Sequence, residues 1–175
     1  MELEQKFCPS QSEITVADDM SIEGYASLFG AADRGGDRVD PGAYTGSLAT
    51  GRAVKMLWQH DPAQPIGVWS ELREDARGLY VKGRLLRGVA RAEEAAALIR
   101  AGAIDGLSIG YRTLRATKNE GGGRTLKELE LWEVSLVTFP MLPSARVAAK
   151  GEALADTMRE LAAVFEDARL EMAGR

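Results

Sequence analysis

A chain of 175 residues, 45% hydrophobic and 27% charged, is an ordinary globular sequence long enough for one domain with a real core. Its net charge of −4 argues against direct nucleic-acid binding, which needs a clustered basic surface, and its single Cys and single His exclude an internal disulfide and the usual zinc clusters; no motif here implies a metal or organic cofactor. No apolar run approaches the roughly 20 residues that span a bilayer, and the opening Met-Glu-Leu-Glu-Gln-Lys lacks signal-peptide order, so the expected setting is the cytoplasm, away from membranes.

In chain order, residues 1–20 are polar and weakly patterned and read as an extended lead-in. Residues 22–29 alternate loosely, as a strand does, and residues 30–41, rich in Gly and Asp, read as a loop. A short helix is expected over 43–48. The apolar run 53–58 reads as a buried strand ending at His60, after which Asp61-Pro62 and Gln64-Pro65 are expected to force a turn. Residues 66–72 and 78–86 read as strands, the second with the alternation of a half-buried one. Residues 89–101 form the clearest helix, built from strong helix formers, with Gly102 placed to stop it. Residues 108–114 and 126–139 read as strands around a flexible Gly121-Gly122-Gly123 tip, and 151–172 as a second long helix. Many short strands without regular strand–helix alternation fit a small antiparallel barrel or rolled sheet with peripheral helices, an α+β class.

The chemistry-bearing residues are few. The only histidine, His60, lies in Trp58-Gln59-His60-Asp61-Pro62; downstream come Gly106-Leu107-Ser108-Ile109-Gly110 and Glu130-Leu131-Trp132-Glu133-Val134-Ser135. A serine hydroxyl is a weak nucleophile that needs an adjacent base, and histidine suits that task near neutral pH. The G-x-S-x-G match taken alone is weak. An α/β-hydrolase elbow needs a helix after the serine and a histidine later in the chain, and both are missing here. A triad in the order His, Ser, acid remains open, because that constellation recurs in several chain orders. The bland alternative makes Ser108 a small residue in a tight strand and His60 a structural histidine at a strand end.

Trp58-Gln59-His60-Asp61 with Pro65-Ile66-Gly67, Gly106-Leu107-Ser108-Ile109-Gly110-Tyr111, and Glu133-Val134-Ser135-Leu136-Val137-Thr138-Phe139-Pro140 together resemble the tailed-phage prohead (procapsid) maturation proteases. Gly24-Tyr25-Ala26-Ser27-Leu28-Phe29 and Asp37-Arg38-Val39-Asp40-Pro41-Gly42-Ala43-Tyr44 are similar to the same family, so the likeness covers residues 21–149 in one order. Gene transfer agents carry similar proteases. The family is similar in fold to herpesvirus assemblins, which implies a small, mostly antiparallel β-barrel ringed by helices. On that basis residues 1–20 are a lead-in, 21–149 the protease domain and 150–175 a C-terminal amphipathic helix.

The resemblance implies Ser108 as nucleophile and His60 as general base. Assemblins use a second histidine as third member, which this chain lacks, so a carboxylate is expected to orient the imidazole. Glu133 is first choice, since an unpaired acid buried in that strand would be costly. Glu130, three positions away and so on the opposite face of a regular strand, is second, and Asp61 is third. By assemblin likeness the oxyanion hole falls at 144–146, including the Arg146 backbone; a solvated surface charge is the equal alternative for Arg146. Cys8 reads as an unpaired residue, and Asp33, Asp37 and Asp40 as a solvated turn lacking EF-hand order. Trp58, Trp69 and Trp132 read as core. Leu154, Met158, Leu161, Phe165, Ala168 and Met172 form an a/d-like stripe for docking or for a partner.

The implied function is a serine endopeptidase of virion assembly. It would act inside assembling procapsids on scaffold, on the scaffold-like N-terminal segment of the major capsid protein, and on itself. Homodimerisation is a further implication of the assemblin likeness. The competing reading is a catalytically inactive scaffold or capsid-binding module on the same fold; a general esterase is a third.

Overall fold

A computed structural model describes residues 4–7, 15–17, 19–33 and 35–138. The expected helix over 151–172, Cys8 and Arg146 lie outside them. The described elements are, in chain order, β1 (Glu4–Phe7), β2 (Thr15–Val16), β3 (Ser21–Leu28), β4 (Arg38–Val39), α1 (Thr45–Ala49), β5 (Lys55–Trp58), β6 (Asp61–Glu74), β7 (Gly78–Leu85), α2 (Ala90–Arg100), β8 (Gly106–Lys118) and β9 (Arg124–Val137). The nine strands form one sheet in the order β1-β8-β9-β5-β6-β7-β3-β2, with β4 alongside β9. The sheet curls until β3 packs near β8, but no described hydrogen-bonded pairing closes it. Most neighbours are antiparallel, and β5 and β4 join β9 in parallel.

Alternation drives the sheet. β7 reads Gly-Leu-Tyr-Val-Lys-Gly-Arg-Leu and buries Leu79, Val81 and Leu85 while Lys82 and Arg84 face out. β9 and the first half of β8 depart from that period. Residues 106–111 and 133–137 are buried on both faces, because other elements cover them on each side. The core is filled by Ile22, Met56, Ile66, Leu79, Leu85, Ile109, Leu126, Leu129 and Leu131, each at most 1% exposed. Burying each such side chain stabilises the fold by roughly 1.5–3 kcal/mol.

α2 buries Ala92, Ala95, Ala96 and Ile99, one helical stripe, against β2, β6 and β7. The small alanines let the helix lie close to the sheet, and Gly102 at φ +70° ends it in the left-handed region. Among the described residues the expected ring of helices reduces to α1 and α2.

Three local expectations are corrected. Pro62 and Pro65 make no turn; both lie in β6, whose pairing with β5 is interrupted by bulges there. The bias that proline imposes on its predecessor is toward extended backbone, which a bulged strand satisfies. The reversal falls instead at Gln59 and His60. Trp58, Trp69 and Trp132 are half-buried: Trp58 and Trp69 pack against the core, with the indole N–H of Trp69 donating to Val134 O (3.3 Å), whereas Trp132 lies under the Arg52 guanidinium and donates to Glu130 (3.3 Å). Finally, the segment expected as an extended lead-in supplies two strands, β1 pairing with β8 and β2 with β3.

Candidate active site

Three strands meet at the site. β8 and β9 run antiparallel with Ser108 opposite Ser135 and Gly110 opposite Glu133. Residues two apart on a strand share a face, so Ser108, Gly110, Glu133 and Ser135 occupy one patch of one face. On the other side of β9, β5 runs parallel with Leu57 opposite Ser135 and Trp58 opposite Leu136.

The chain leaves β5 through a two-residue hairpin. Trp58 pairs with Asp61, and the intervening Gln59 and His60 have φ of +53° and +61°. Two positive φ values in a two-residue loop mark a type I′ turn, which normally takes Asn-Gly. A side chain with a Cβ costs roughly 1–2 kcal/mol in that conformation. The strain is offset by anchoring to the end of β9. Gln59 N–H donates to Leu136 O (2.9 Å), Gln59 Nε2 to Thr138 Oγ1 (2.5 Å), and His60 N–H to Ser135 Oγ (3.2 Å). The turn thereby aims the imidazole at the β8–β9 patch.

There His60 Nε2 lies 2.6 Å from Ser108 Oγ and His60 Nδ1 lies 2.6 Å from Glu133 Oε1. Glu133 Oε2 accepts from Ser135 Oγ at 2.5 Å, so both carboxylate oxygens are engaged. An ionised carboxylate only accepts, which puts the ring hydrogen on Nδ1 and leaves the Nε2 lone pair facing the serine hydroxyl. Space for the acid comes from Gly110: a Cβ there would stand 2.0 Å from Glu133 Oε1 and 2.7 Å from its Cδ. The group is well buried, with Ser108 at 0% and Glu133 at 5% exposure. Such a chain of acid, imidazole and hydroxyl can take a proton from the serine as its oxygen attacks a carbonyl.

The other candidates sit elsewhere. Glu130 pairs with Arg52 (2.8 Å), whose guanidinium also stacks on Trp132. Asp61 accepts from Ala63 N–H (2.9 Å). Asp37 binds Arg124 (2.6 Å), Asp40 binds Lys127 (2.8 Å), and Asp33 accepts from Asp37 N–H (2.9 Å), so these three carboxylates are committed separately. Sequence reasoning passed over Ser135 and Gly110. Period-two alternation offered a signal for both, since each lies two residues from a candidate on its own strand.

A family model described as caudovirus prohead serine protease matches residues 9–160. The prohead protease of Enterobacteria phage HK97 is 37% identical over 132 residues, covering 73% of this chain and 59% of the relative. The prohead protease of Escherichia phage T5 is 33% identical over 125 residues, covering 69% of this chain and 58% of the relative. The chain thus spans less than two thirds of the length of these relatives. Among solved structures, the bacteriophage T4 capsid assembly protease superposes with a TM-score of 0.63 at 20% identity, over 79% of this chain and 98% of that one. At that identity the likeness is one of fold.

Proposed function

Because the chain belongs to the caudovirus prohead serine protease family, we propose that it is a serine endopeptidase of capsid maturation, with Ser108 as nucleophile, His60 as general base and Glu133 as the acid that orients His60. The observation that carries this reading is the histidine bridging Ser108 and Glu133 through its two ring nitrogens, 2.6 Å on each side. Ser108 Oγ attacks the scissile carbonyl as Nε2 takes its proton. The imidazolium so formed is stabilised by Glu133 and then returns the proton to the leaving amine. Water repeats the sequence to release the acyl group. Proton transfer of this kind contributes roughly 10²- to 10⁴-fold to rate. The substrates are scaffold and the scaffold-like N-terminal segment of the major capsid protein inside the procapsid, and the chain itself. Loss of those segments removes contacts that hold the immature shell.

The test is intact-mass spectrometry of the major capsid protein, co-expressed with scaffold and either the native chain or Ser108→Ala at matched levels. A defined truncation seen only with Ser108 present is expected. Uncut capsid protein in both samples, with shells assembled, would replace this reading with a non-catalytic scaffold module.

A further inference from the structure

Ser108 is fully buried and the His60 side chain is only 8% exposed, so no peptide carbonyl reaches the hydroxyl unless something beside it moves. The strand that carries Ser108 has two edges. One is taken by β9, which is itself held by β5 and β4. The other is taken by β1, with Phe7 opposite Ser108, Lys6 opposite Ile109, Gln5 opposite Gly110 and Glu4 opposite Tyr111. β1 is four residues long and, among the described residues, β8 is its only partner strand, whereas β8 runs for 13 residues.

We propose that this edge of β8, from Ser108 to Tyr111, is where an extended peptide docks as an added antiparallel strand, and that Glu4–Phe7 is the resident occupant it displaces. The inference rests on Ser108 being the nucleophile. Backbones in an antiparallel pair lie about 4.5–5.5 Å apart, Cα to Cα, and a reacting carbonyl must come within about 3–3.5 Å of the attacking oxygen. A peptide in the place of β1 therefore presents its main chain within a serine side chain's reach. Edge pairing reads main-chain groups, with alternate side chains left to set preference, a recurrent mode of peptide capture. A longer peptide also pairs with more of β8 than four residues do, which favours exchange. A tethered occupant acts at an effective concentration near the millimolar range, so it wins against dilute peptide and loses to concentrated substrate.

The experiment follows labelling of Ser108 by a fluorophosphonate, read by intact mass, with Ser108→Ala as blank. Three chains are compared: the native one, a full-length variant carrying both Gln5→Pro and Lys6→Pro, and one lacking residues 1–8. Successive strand N–H groups point to opposite sides, so one of two adjacent prolines removes a donor to β8. Labelling is expected to rise roughly tenfold or more in both altered chains. It should fall back when a synthetic peptide of residues 1–9 is added at millimolar concentration, and stay high with a scrambled peptide. Equal rates in all three chains would overturn the docking edge while leaving Ser108 a reactive serine. No labelling in any of them, with the fold verified by circular dichroism, would overturn the nucleophile assignment and the docking edge with it. Should the shortened chain fail to fold, the proline variant and the added peptide decide the matter.

Discussion

Glu133 and Glu130 stand three residues apart on β9 and have different neighbours. Glu133 holds the imidazole and accepts from Ser135, while Glu130 pairs with Arg52 at the surface. If Glu133 orients the base, Glu133→Gln lowers kcat by roughly 10³- to 10⁴-fold, because the amide holds the ring in the wrong tautomer. Glu130→Gln changes kcat less than about twofold, since exposed pairs contribute little; capsid-protein cleavage rates compare the two. Gly110→Ala tests the same geometry from the opposite strand. Its Cβ would stand 2.0 Å from Glu133 Oε1 and push the carboxylate aside. Activity should fall roughly 10²-fold or more, with the circular dichroism spectrum unchanged. The side chains that meet here were each visible in the sequence as residues with the right chemistry. Ser135 was not singled out, because a serine in an apolar strand has no marker of its own until the partner above it is known. Gly110 was read only as a flank of Ser108, although its role is to leave room for a side chain 23 positions away.

The elements were legible where periodicity was strong. β7 and α2 lie within a residue or two of expectation because alternation and the helical stripe are both written in the local sequence. The start of β6 was not, since proline marks extended backbone and turns alike, and pairing with β5 decides between them. The far end of β6 carries an electrostatic lock. Asp75 accepts from Tyr25 Oη (2.6 Å), from Arg73 (2.7 Å) and from the Arg77 N–H (2.8 Å). The Tyr25 hydroxyl first, with those N–H donors, holds its carboxyl down at about 2. A depressed carboxyl stabilises the fold above its unfolded value of 3.8, and the contribution fades as pH falls toward 2. Urea unfolding between pH 4 and 2 should therefore show a shallower loss of stability in Asp75→Asn than in the native chain. On β3, Ser27 Oγ is buried at a register shift with no hydrogen-bond partner among the described residues. Ser27→Ala is expected to leave stability unchanged or to raise it by up to about 1 kcal/mol, measured as the urea midpoint.

For the molecule as a whole, many short strands without regular strand–helix alternation pointed to a small antiparallel barrel or rolled sheet; the described strands form one curled, mostly antiparallel sheet that no described pairing closes. Its strand order could not be read, because nothing in the sequence of β5 says that its second neighbour is β9 and that the two run parallel. β9 is the spine, with β8 on one side, β5 on the other and β4 near its start. Truncating its core face should be felt globally. Leu129→Ala is expected to cost about 2–5 kcal/mol, lowering Tm by several degrees in a thermal melt, without altering the geometry at His60.

The parallel pairing of β5 with β9 also fixes when in the life of the chain the constellation comes into being. His60 and Glu133 are brought together across 73 positions of sequence, and the strand that supplies the acid is the last of the described strands to be synthesised. Contacts of that separation form late and slowly compared with local ones. A nascent polypeptide with β5 through β8 already outside the ribosome holds the histidine and the serine but has no surface on which to set them. If Ser108 is the nucleophile, reactivity begins as a folding event, and the interval before β9 docks is a built-in delay during which newly made neighbours are safe.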